Sequence, residues 1–456
     1  MTLTPRMKRP HLLCSLVLSA VAASPEVWGD AQGLQPFIER ALANNPDLTV
    51  HHARLAEAEA HLKEATAAFM PRLSARVGYE YTNDPSRAFA AVVAQRRFDF
   101  GMSINHPGWV DNFRPELVAS WSLYRGGQDS LRRLAAESGV EAARQEQQSA
   151  QNRLIAAVTA AYYTWQMAPE QIRVARQSLR SIEAEQTYTR RRVEQGMALK
   201  ADVLSIDVRQ AASHEAEIRA EHALTLARSS LQMLVGDEIP EQPEPRTGQD
   251  ELPRLPDSVP SLLKQALNLR PELQAASHQQ AMRQAELKAE QAALLPRVNA
   301  YAGYGLNSRG PDMNFNQDNM TLGLNAEVDL FTGGATRARI AAAEQRLRVA
   351  EAEVQRTRLT VEDEVRRAVA TLDETLKRGE TAERGRQAAD EALRLVRLQY
   401  QGGSAPITRY LEAETDRAEA SLRAIMAHYE AYIAEAQLRQ AVGTVSTSTN
   451  ENNRHE

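Results

Sequence analysis

The sequence predicts a mainly α-helical chain of long helical hairpins that also contributes strands to a membrane β-barrel, and three observations lead to this fold class. Ala, Glu, Gln, Arg and Leu dominate long stretches of the 456 residues, and aromatic residues make up only 5%; this composition is typical of extended helices. Landmarks along the chain occur twice in the same order, as in proteins with internal repeats. Four segments of about ten residues alternate apolar and polar side chains, as β-strands do.

Composition and charge exclude several classes of protein. The formal net charge is −5 with the two signs interspersed, so the chain has no basic surface for nucleic acid. A single cysteine excludes a disulfide-stabilised scaffold. No stretch beyond the N-terminus approaches the ~20 uninterrupted apolar residues of a membrane-spanning helix, so any passage through a membrane must be of a different kind.

The N-terminus has the layout of a secretory signal peptide, which we place at residues 1–29. Three basic residues within positions 6–9 precede the apolar run Leu12 to Ala23, which ends in small residues; this is the pattern of an exported leader. An N-terminal core helix is the alternative, but the basic flank and the abrupt small-residue ending favour export. Cleavage would remove the only cysteine, Cys14.

The rest of the chain contains two copies of one unit. The segment Ala41 to Leu48 (ALANNPDL) recurs as Ala266 to Leu273 (ALNLRPEL), and LYRGG from Leu123 corresponds to LFTGG from Leu330. The distance between the copies is 225 residues at the first landmark and 207 at the second. The first copy therefore carries a loop that is longer by 18 residues (225 minus 207) between its two strands.

These landmarks set the domain organisation. The first repeat covers residues 30–236 and the second covers 258–443. Between them, residues 237–257 are rich in proline and acidic residues and form an extended connector. The last segment, residues 444–456, is polar and rich in Ser, Thr and Asn, and we expect it to be disordered.

Each repeat opens with two helices. The first is short, about Leu34 to Ala43 in one copy and Ser261 to Asn268 in the other. A proline followed by an acidic residue then starts a longer helix, because proline fits the first helical position and the acid faces the positive end of the helix dipole. A further proline ends these helices at Phe69 and Leu294.

Two strands follow in each repeat, each with one apolar and one polar face. In the second strand, Leu117 to Tyr124, Leu123 falls in the apolar set and Tyr124 in the polar set. Strands of this length with two unlike faces suit the wall of a transmembrane β-barrel; two amphipathic hairpins on a soluble sheet are the alternative. The side chains that we expect to face lipid are Leu73, Val77, Tyr79, Leu322, Leu324 and Val328.

Four strands are too few to close a barrel, since the smallest membrane barrels have about eight. Backbone groups at an open sheet edge cannot be left unpaired in lipid. The chain must therefore share strands with copies of itself, and three chains with four strands each would give a 12-stranded barrel.

A very long helical hairpin follows the strands in each repeat. The first helices of the hairpins span 128–195 and 335–401, and each reaches about 100 Å at 1.5 Å per residue. They reverse at glycine-containing turns and return over 199–235 and 406–442. Pro169 should kink the first long helix or split it into stacked segments. A soluble coiled-coil rod is the alternative interpretation of such helices.

The order of these motifs resembles the TolC-like outer-membrane efflux protein family over nearly the whole mature chain. The resemblance rests on the Ala-Leu-x-x-x-Pro-x-Leu openings, Pro-Arg before the first strand of each copy, Leu-Phe-Thr-Gly-Gly after the last strand, and Tyr400 to Gly403 at a helical tip. It implies a homotrimer in the cell outer membrane, with a 12-stranded β-barrel continued by a 12-helix α-barrel through the periplasm. It also implies a passive exit duct of a tripartite efflux pump or type I secretion system. The implied partners are a periplasmic adaptor (membrane fusion) protein, an inner-membrane RND or ABC transporter, and outer-membrane lipid.

The resemblance points to two functional regions at the helical tips. Family members close the periplasmic end with charged and polar side chains, often aspartates. Because this chain carries Arg409 at one such position, we expect a mixed-charge constriction of Asp202, Arg409 and Glu412; three solvated surface charges are the alternative. We expect adaptor contact at the exposed tips, which comprise Gly196, Met197, Ala198, Leu199, Lys200, Gly403, Ser404, Ala405, Pro406, Ile407 and Thr408.

No motif predicts an enzyme. No nucleophile, base and orienting residue occur together, and the three histidines at 51, 52 and 61 lack the cysteines or clustered carboxylates of a metal site. We therefore expect no catalytic residue, no cofactor, no metal and no nucleic-acid partner. The alternative to an exit duct is a secreted periplasmic coiled-coil scaffold without a pore, and the alternating strand faces favour the duct.

Overall fold

The computed structural model describes residues 33–244, 252–255, 258–311 and 315–445. The predicted signal peptide 1–29, parts of the connector 237–257 and most of the tail 444–456 lie outside the described residues. In chain order the elements are α1 (Gln35–Asn44), α2 (Pro46–Ala67), β1 (Arg72–Thr82), α3 (Pro85–Ala94), β2 (Val110–Arg125), α4 (Gln128–Glu194), α5 (Lys200–Val235), α6 (Val259–Leu269), α7 (Pro271–Ala292), β3 (Arg297–Leu306), a 3₁₀ turn (Phe315–Gln317), β4 (Asp318–Glu327), α8 (Ala335–Gln401) and α9 (Ile407–Val442).

The second repeat reproduces the helix lengths of the first. The paired helices α2 and α7 each have 22 residues, α4 and α8 each have 67, and α5 and α9 each have 36. The short helices α1 and α6 differ by one residue, with 10 and 11, and α3 has no counterpart among the described residues of the second repeat. It is a helix of 10 residues in the longer loop of the first repeat, where the sequence predicted only a loop. Asp84 starts α3, since its side chain accepts hydrogen bonds from the backbone N–H groups of Ser86 and Arg87.

The helices pack side by side into a wall that is four helices wide. In the half near the strands, α2 packs against α4, α4 against α7, and α7 against α8. In the half toward the tips, α5 packs against α4, α4 against α9, and α9 against α8. The long helices α4 and α8 thus run through both halves, while the wall has one edge at α2 and α5 and the other edge at α8.

The two halves of the wall join at the same level in both repeats. In the first repeat, Asn45 Nδ2 donates to the carbonyl of Leu234 at 2.9 Å. In the second, Arg270 Nη1 donates to the carbonyl of Ala441 at 3.1 Å. Each bond satisfies a carbonyl at a helix end that lacks an intrahelical partner, so different side chains make the same junction.

Each junction has its own apolar core on the long helix. The first core contains aromatic residues and the second is aliphatic. Their main members are Phe37, Tyr162 and Trp165 in the first repeat and Val365, Val369 and Leu372 in the second. Buried apolar area of this kind supplies most of the stability of helices that propensity alone would not hold.

Two sequence-based expectations about element boundaries are wrong. The helix α4 runs without interruption through Pro169, so of the two expected effects, a kink or a split, the split does not occur; packing along both sides of α4 outweighs the loss of one backbone hydrogen bond. The strand β2 begins at Val110 rather than at Leu117, because Pro115 and its charged neighbours hide an alternation that the backbone still follows opposite Val77.

The four strands form one antiparallel sheet in the order β1-β2-β3-β4. The strands β1 and β4 are therefore the two edges of the sheet. Because α2 leads into β1 and β4 leads toward α8, the edges of the sheet correspond to the edges of the helical wall.

Candidate functional site

The sheet has one apolar face and one polar face. Leu73 lies opposite Ala119, and Ala119 lies opposite Ala302, which in turn lies opposite Leu322. This row crosses all four strands, and the predicted residues along it are well exposed in the single chain, with Leu322 at 68% and Leu324 in the next row at 72%. The pairing register thus brings the apolar sets of all four strands to a single face, as the alternation predicted.

Two residues of this face differ from the sequence-based expectation. Val328, predicted to be lipid-facing within a strand, lies one residue beyond the end of β4 at Glu327. In β2 the register shifts between Ser122 and Tyr124, which places Tyr124 opposite Val298 on the apolar face. A one-residue bulge moves every later side chain to the other face, so the expected polar placement of Tyr124 is wrong.

The opposite face of the sheet carries charge. Arg114 Nη2 lies 2.8 Å from a carboxylate oxygen of Glu116, and Arg76 Nη1 lies 4.0 Å from the other. Where the strands meet the helices, Arg297 pairs with Glu327 at 2.8 Å. A cavity of about 470 Å³ opens there, with further basic residues in its lining: Arg125, Arg132 and Arg339.

The helical tips are tight turns that need glycine. Gly196 and Gly403 have φ of +75° and +77°, a region that other residues adopt only with strain. Most predicted docking residues are exposed, including Met197 and Leu199, but Ile407 is buried at 4%. Ile407 packs against Tyr400 and Tyr410 in a buried apolar cluster near the tips, which we call the tip core. The expectation that Ile407 forms part of the exposed docking surface is therefore wrong.

The predicted gate residues lie close to the tips but make separate contacts. Asp202 Oδ2 accepts the backbone N–H of Leu199 at 3.0 Å and so caps its own helix. Arg409 pairs with Glu412 at 3.4 Å on one exposed helical face. Among the described residues, no hydrogen bond or ion pair joins Asp202 to either of the other two.

A buried cluster, which the sequence analysis missed, holds the two hairpins together near the tips. Ile182 of α4 and Ile206 of α5 pack with apolar residues of α8 and α9, including Tyr400 and Tyr410. Thr189 Oγ1 and the hydroxyl of Tyr400 lie 2.8 Å apart in this buried region and link the first hairpin to the second. The periodicity of each helix could reveal its buried face but not which hairpin would cover it.

Ionisable groups are also buried next to this cluster. Arg417 Nη2 donates to Glu414 Oε1 at 2.8 Å, and both side chains are almost fully buried. The other carboxylate oxygen of Glu414 has no hydrogen-bond partner among the residues that the structure describes. Glu414 and Arg417 are separated by three positions on α9, as are Arg409 and Glu412 in the reverse order. The sequence alone therefore does not distinguish the buried pair from the exposed one.

Burial changes the protonation behaviour of this region. It raises the pKa of Glu185 above its usual value, although Arg397 and Arg192 partly oppose the change. Burial also raises the pKa of Tyr410 to about 12, with a further contribution from the negative charges of Glu414 and Glu185. Tyr410 therefore stays protonated at physiological pH, and the raised pKa of Glu185 moves the titration of that carboxyl toward neutral pH.

The described residues show neither a metal site nor a membrane-spanning helix. Within the described part of the chain, no three His, Cys, Asp or Glu side chains group closely enough to hold a metal ion. No described helix is both long enough and apolar enough to cross a membrane.

Comparison with known proteins gives a consistent result. A sequence model of the family described as "Outer membrane efflux protein" matches residues 37–237 and 262–444. The chain is 29% identical to the outer membrane protein OprJ of Pseudomonas aeruginosa over 269 residues, which cover 57% of this chain and 55% of OprJ. It is 26% identical to the probable efflux pump outer membrane protein TtgC of Pseudomonas putida over 437 residues, which cover 93% of this chain and 86% of TtgC.

The fold is also similar to that of a solved structure. A crystal structure of CusC, described in connection with transmembrane channel formation, superposes with a TM-score of 0.79 at 20% sequence identity. The superposition covers 90% of this chain and 92% of CusC.

Proposed function

The chain belongs to the outer membrane efflux protein family, and from this premise we propose that it is the outer-membrane channel of a tripartite efflux or type I secretion system in a Gram-negative cell. The channel offers polar cargo a passive, water-filled route and so avoids the cost of moving it through hydrocarbon. The observation that carries the proposal is the four-stranded sheet, which has one apolar face, one charged face and two edges that pair with no other strand in the described part of the chain.

Closure of this sheet requires other copies of the chain. Unpaired strand edges are not tolerated in lipid, so we propose that β4 of one chain pairs with β1 of the next. A head-to-tail contact of this type forms a ring when the rotation closes. Three chains form a 12-stranded barrel with the apolar face toward lipid and the charged face toward the lumen.

The helical wall supports the same head-to-tail closure. Its two edges carry exposed apolar side chains, with Val208 exposed at 73% on α5 and Leu359 at 65% on α8. Exposed apolar stripes on single chains mark interfaces between subunits. We propose that α5 and α2 of one chain pack against α8 of its neighbour, which closes a trimeric α-barrel of 12 helices below the β-barrel.

The tips form the periplasmic end of the duct in this proposal. The exposed residues Gly196 to Lys200, together with Gly403 to Pro406 and Thr408, contact a periplasmic adaptor protein, which connects the duct to an inner-membrane RND or ABC transporter. Asp202, Arg409 and Glu412 line the constriction at this end. Arg409 and Glu412 are exposed in the single chain and Asp202 is half-buried, and none of the three is in the buried tip core, which supports a role on the surface of the tips.

A fractionation experiment tests the proposal against the pore-less scaffold. We expect the protein to pellet with outer membranes, to require detergent for release, and to have the mass of three chains after solubilisation. Recovery of a monomer in the soluble periplasmic fraction would support the scaffold instead. Deletion of the gene, followed by tests of resistance to drugs and metals and of protein secretion, then identifies the cargo class.

A further inference from the structure

The helix α3 lies against the polar face of the sheet at the end remote from the helical wall. Arg87 of α3 donates to Glu80 Oε1 at 2.8 Å, and Glu80 belongs to the polar set of β1. Ala88, Ala91 and Val92 bury their side chains against Val110. Val110 lies opposite Thr82 and on the same face of the sheet as the polar residues of β2. The helix therefore covers the inner side of the sheet when that face lines a lumen.

A buried glutamine fixes α3 in this position. Gln95, which is fully buried, donates from Nε2 to the carbonyl of Asp111 at 2.6 Å and to Asn112 Oδ1 at 3.2 Å. The backbone carbonyl oxygen of Gln95 accepts a hydrogen bond from Gln317 Nε2 at 2.9 Å. These bonds tie the end of α3 to both hairpins of the sheet, which favours a fixed position over a mobile loop.

The segment formed by α3 and the turn after it carries a chain of aromatic rings whose exposure increases toward Phe100. Phe89 and Phe98 meet edge to face with ring centroids 5.4 Å apart, and Phe98 meets Phe100 in the same way at 5.4 Å. Phe100 is 97% exposed in the single chain. A chain of aromatic rings that ends in two exposed phenylalanines is unusual for a surface in contact only with water.

We propose that α3 and the turn after it form an apolar constriction at the outer mouth of the channel, where Phe98 and Phe100 of the three chains meet around the central axis. This inference rests on the proposed trimer. A segment that covers the lumenal face of a closed barrel has its free side toward the axis. Each aromatic patch therefore contacts the same patch of the other two chains. Apolar constrictions of this kind gate pores by excluding water.

Cross-linking tests this geometry directly. In a Cys14→Ser background, a Phe100→Cys protein is treated with a short bifunctional maleimide after purification. The matched control is Trp109→Cys. Trp109 is also exposed, but it stacks on Tyr81, which belongs to the apolar face of β1 on the outside of the proposed barrel. We expect covalently linked chains for Phe100→Cys and none for Trp109→Cys.

The outcomes separate this inference from the proposed function. If the protein has the mass of a trimer but Phe100→Cys links no more than Trp109→Cys, the constriction is overturned and the trimer stands. A mass that corresponds to a single chain overturns both.

Access to the lumen provides an independent readout. Asn325 lies on the polar face of β4 opposite Asn299, and an Asn325→Cys thiol can be labelled in intact cells with a polymer-linked maleimide too large for general porins. We expect labelling to accelerate severalfold when Phe98→Ser and Phe100→Ser are added, and not when Trp109→Ser is added. Equal labelling rates with and without the two phenylalanines would overturn the constriction.

Discussion

Two arginine–glutamate pairs on α9 differ in burial, and this difference sets their contribution to stability. The Arg417 and Glu414 side chains are 7% and 1% exposed, whereas those of Arg409 and Glu412 are 61% and 62% exposed. Removal of one partner of a buried pair costs about 3–5 kcal/mol because a charge is left unpaired. An exposed pair contributes about 0–1 kcal/mol.

We therefore expect Arg417→Ala to destabilise the tip region by about 3–5 kcal/mol and Arg409→Ala by about 1 kcal/mol or less. Hydrogen exchange of the backbone amides of α9, measured on the intact protein, reports this local stability. Equal protection in the two variants would mean that the Glu414 carboxylate is not buried as the structure describes.

The raised pKa of Glu185 predicts a pH-dependent tip. A carboxyl with a folded pKa above its usual value of 4.5 binds a proton more readily in the folded state. Its contribution to stability is therefore most favourable below pH 4.5, declines as the pH rises through the folded pKa, and remains unfavourable above it.

We expect the tip to be more protected from hydrogen exchange at mildly acidic pH than at neutral pH, after correction for intrinsic exchange rates. Glu185→Gln should raise protection at neutral pH and flatten this dependence. The matched control is Glu183→Gln, since Glu183 is exposed on the same helix. If both variants show the same pH dependence of protection as the wild type, the pH response belongs to groups other than Glu185.

At the scale of whole elements, the turn at the end of α8 depends on a backbone that only few residues adopt. Gly403 has φ of +77°, and its N–H donates to the carbonyl of Tyr400 at 3.0 Å. Proline fixes φ near −65° and has no N–H, so Gly403→Pro should cost about 3 kcal/mol or more at the tip. We expect export to be impaired while the protein still inserts into the outer membrane.

Gly403→Asn is the matched control, because asparagine tolerates positive φ better than most residues. Export assays and membrane fractionation on both variants separate docking from assembly. Normal export by Gly403→Pro would argue against a docking role for this turn.

The two faces of β4 predict opposite responses to the same new charge. Leu324 lies on the apolar face opposite Ala300, and Asn325 lies on the polar face opposite Asn299. Arginine on the lipid side of a barrel costs about 2–4 kcal/mol near the bilayer midplane. We expect Leu324→Arg to reduce the yield of membrane-assembled protein and Asn325→Arg to leave it nearly unchanged, as measured by heat-modifiable migration in gels. The reverse order would show that the sheet faces are assigned the wrong way round.

Local signals in the sequence were sufficient for most elements. Glycine and proline at helix ends, together with the switch from a helical to an alternating period, located the long helices and the cores of all four strands. They did not reveal α3, whose burial depends on contacts with Val110 and the loop of the second hairpin. They also missed the bulge before Tyr124, because a register shift is a property of two paired strands rather than of one.

The candidate site was less accessible from the sequence than the fold. The family resemblance is confirmed, and the tips were correctly located. However, the burial of Ile407, Glu414 and Arg417 arises where one hairpin covers the other, and the periodicity of a single helix carries no information about that neighbour. The gate residues and the domain boundaries stay predictions.

At the scale of the whole molecule, the edge of the helical wall predicts how assembly will fail. Leu226 on α5 is 55% exposed, and its neighbour Thr225 is also exposed but is directed about 100° away around the helix. Leu226→Asp would place a charge in the proposed contact with α8 of the next chain and should cost at least about 2 kcal/mol for each interface.

We expect Leu226→Asp to shift the mass of the detergent-solubilised protein from three chains toward one, and Thr225→Asp to leave it at three. Circular dichroism should show unchanged helix content in both variants. A stable trimer with Leu226→Asp would exclude this edge of α5 from the interface.

The junctions at Asn45 and Arg270 have a mechanical consequence. Along each long helix, two shorter helices lie end to end, and their junctions occur at the same level in the two repeats. In the proposed trimer, these junctions divide the tube into a part near the strands and a part near the tips. Among the described helices, only α4 and α8 continue through both parts. In the proposed trimer, we expect the part near the tips to twist about α4 and α8 while the part near the strands stays fixed, so that the tip end can widen without disturbing the β-barrel.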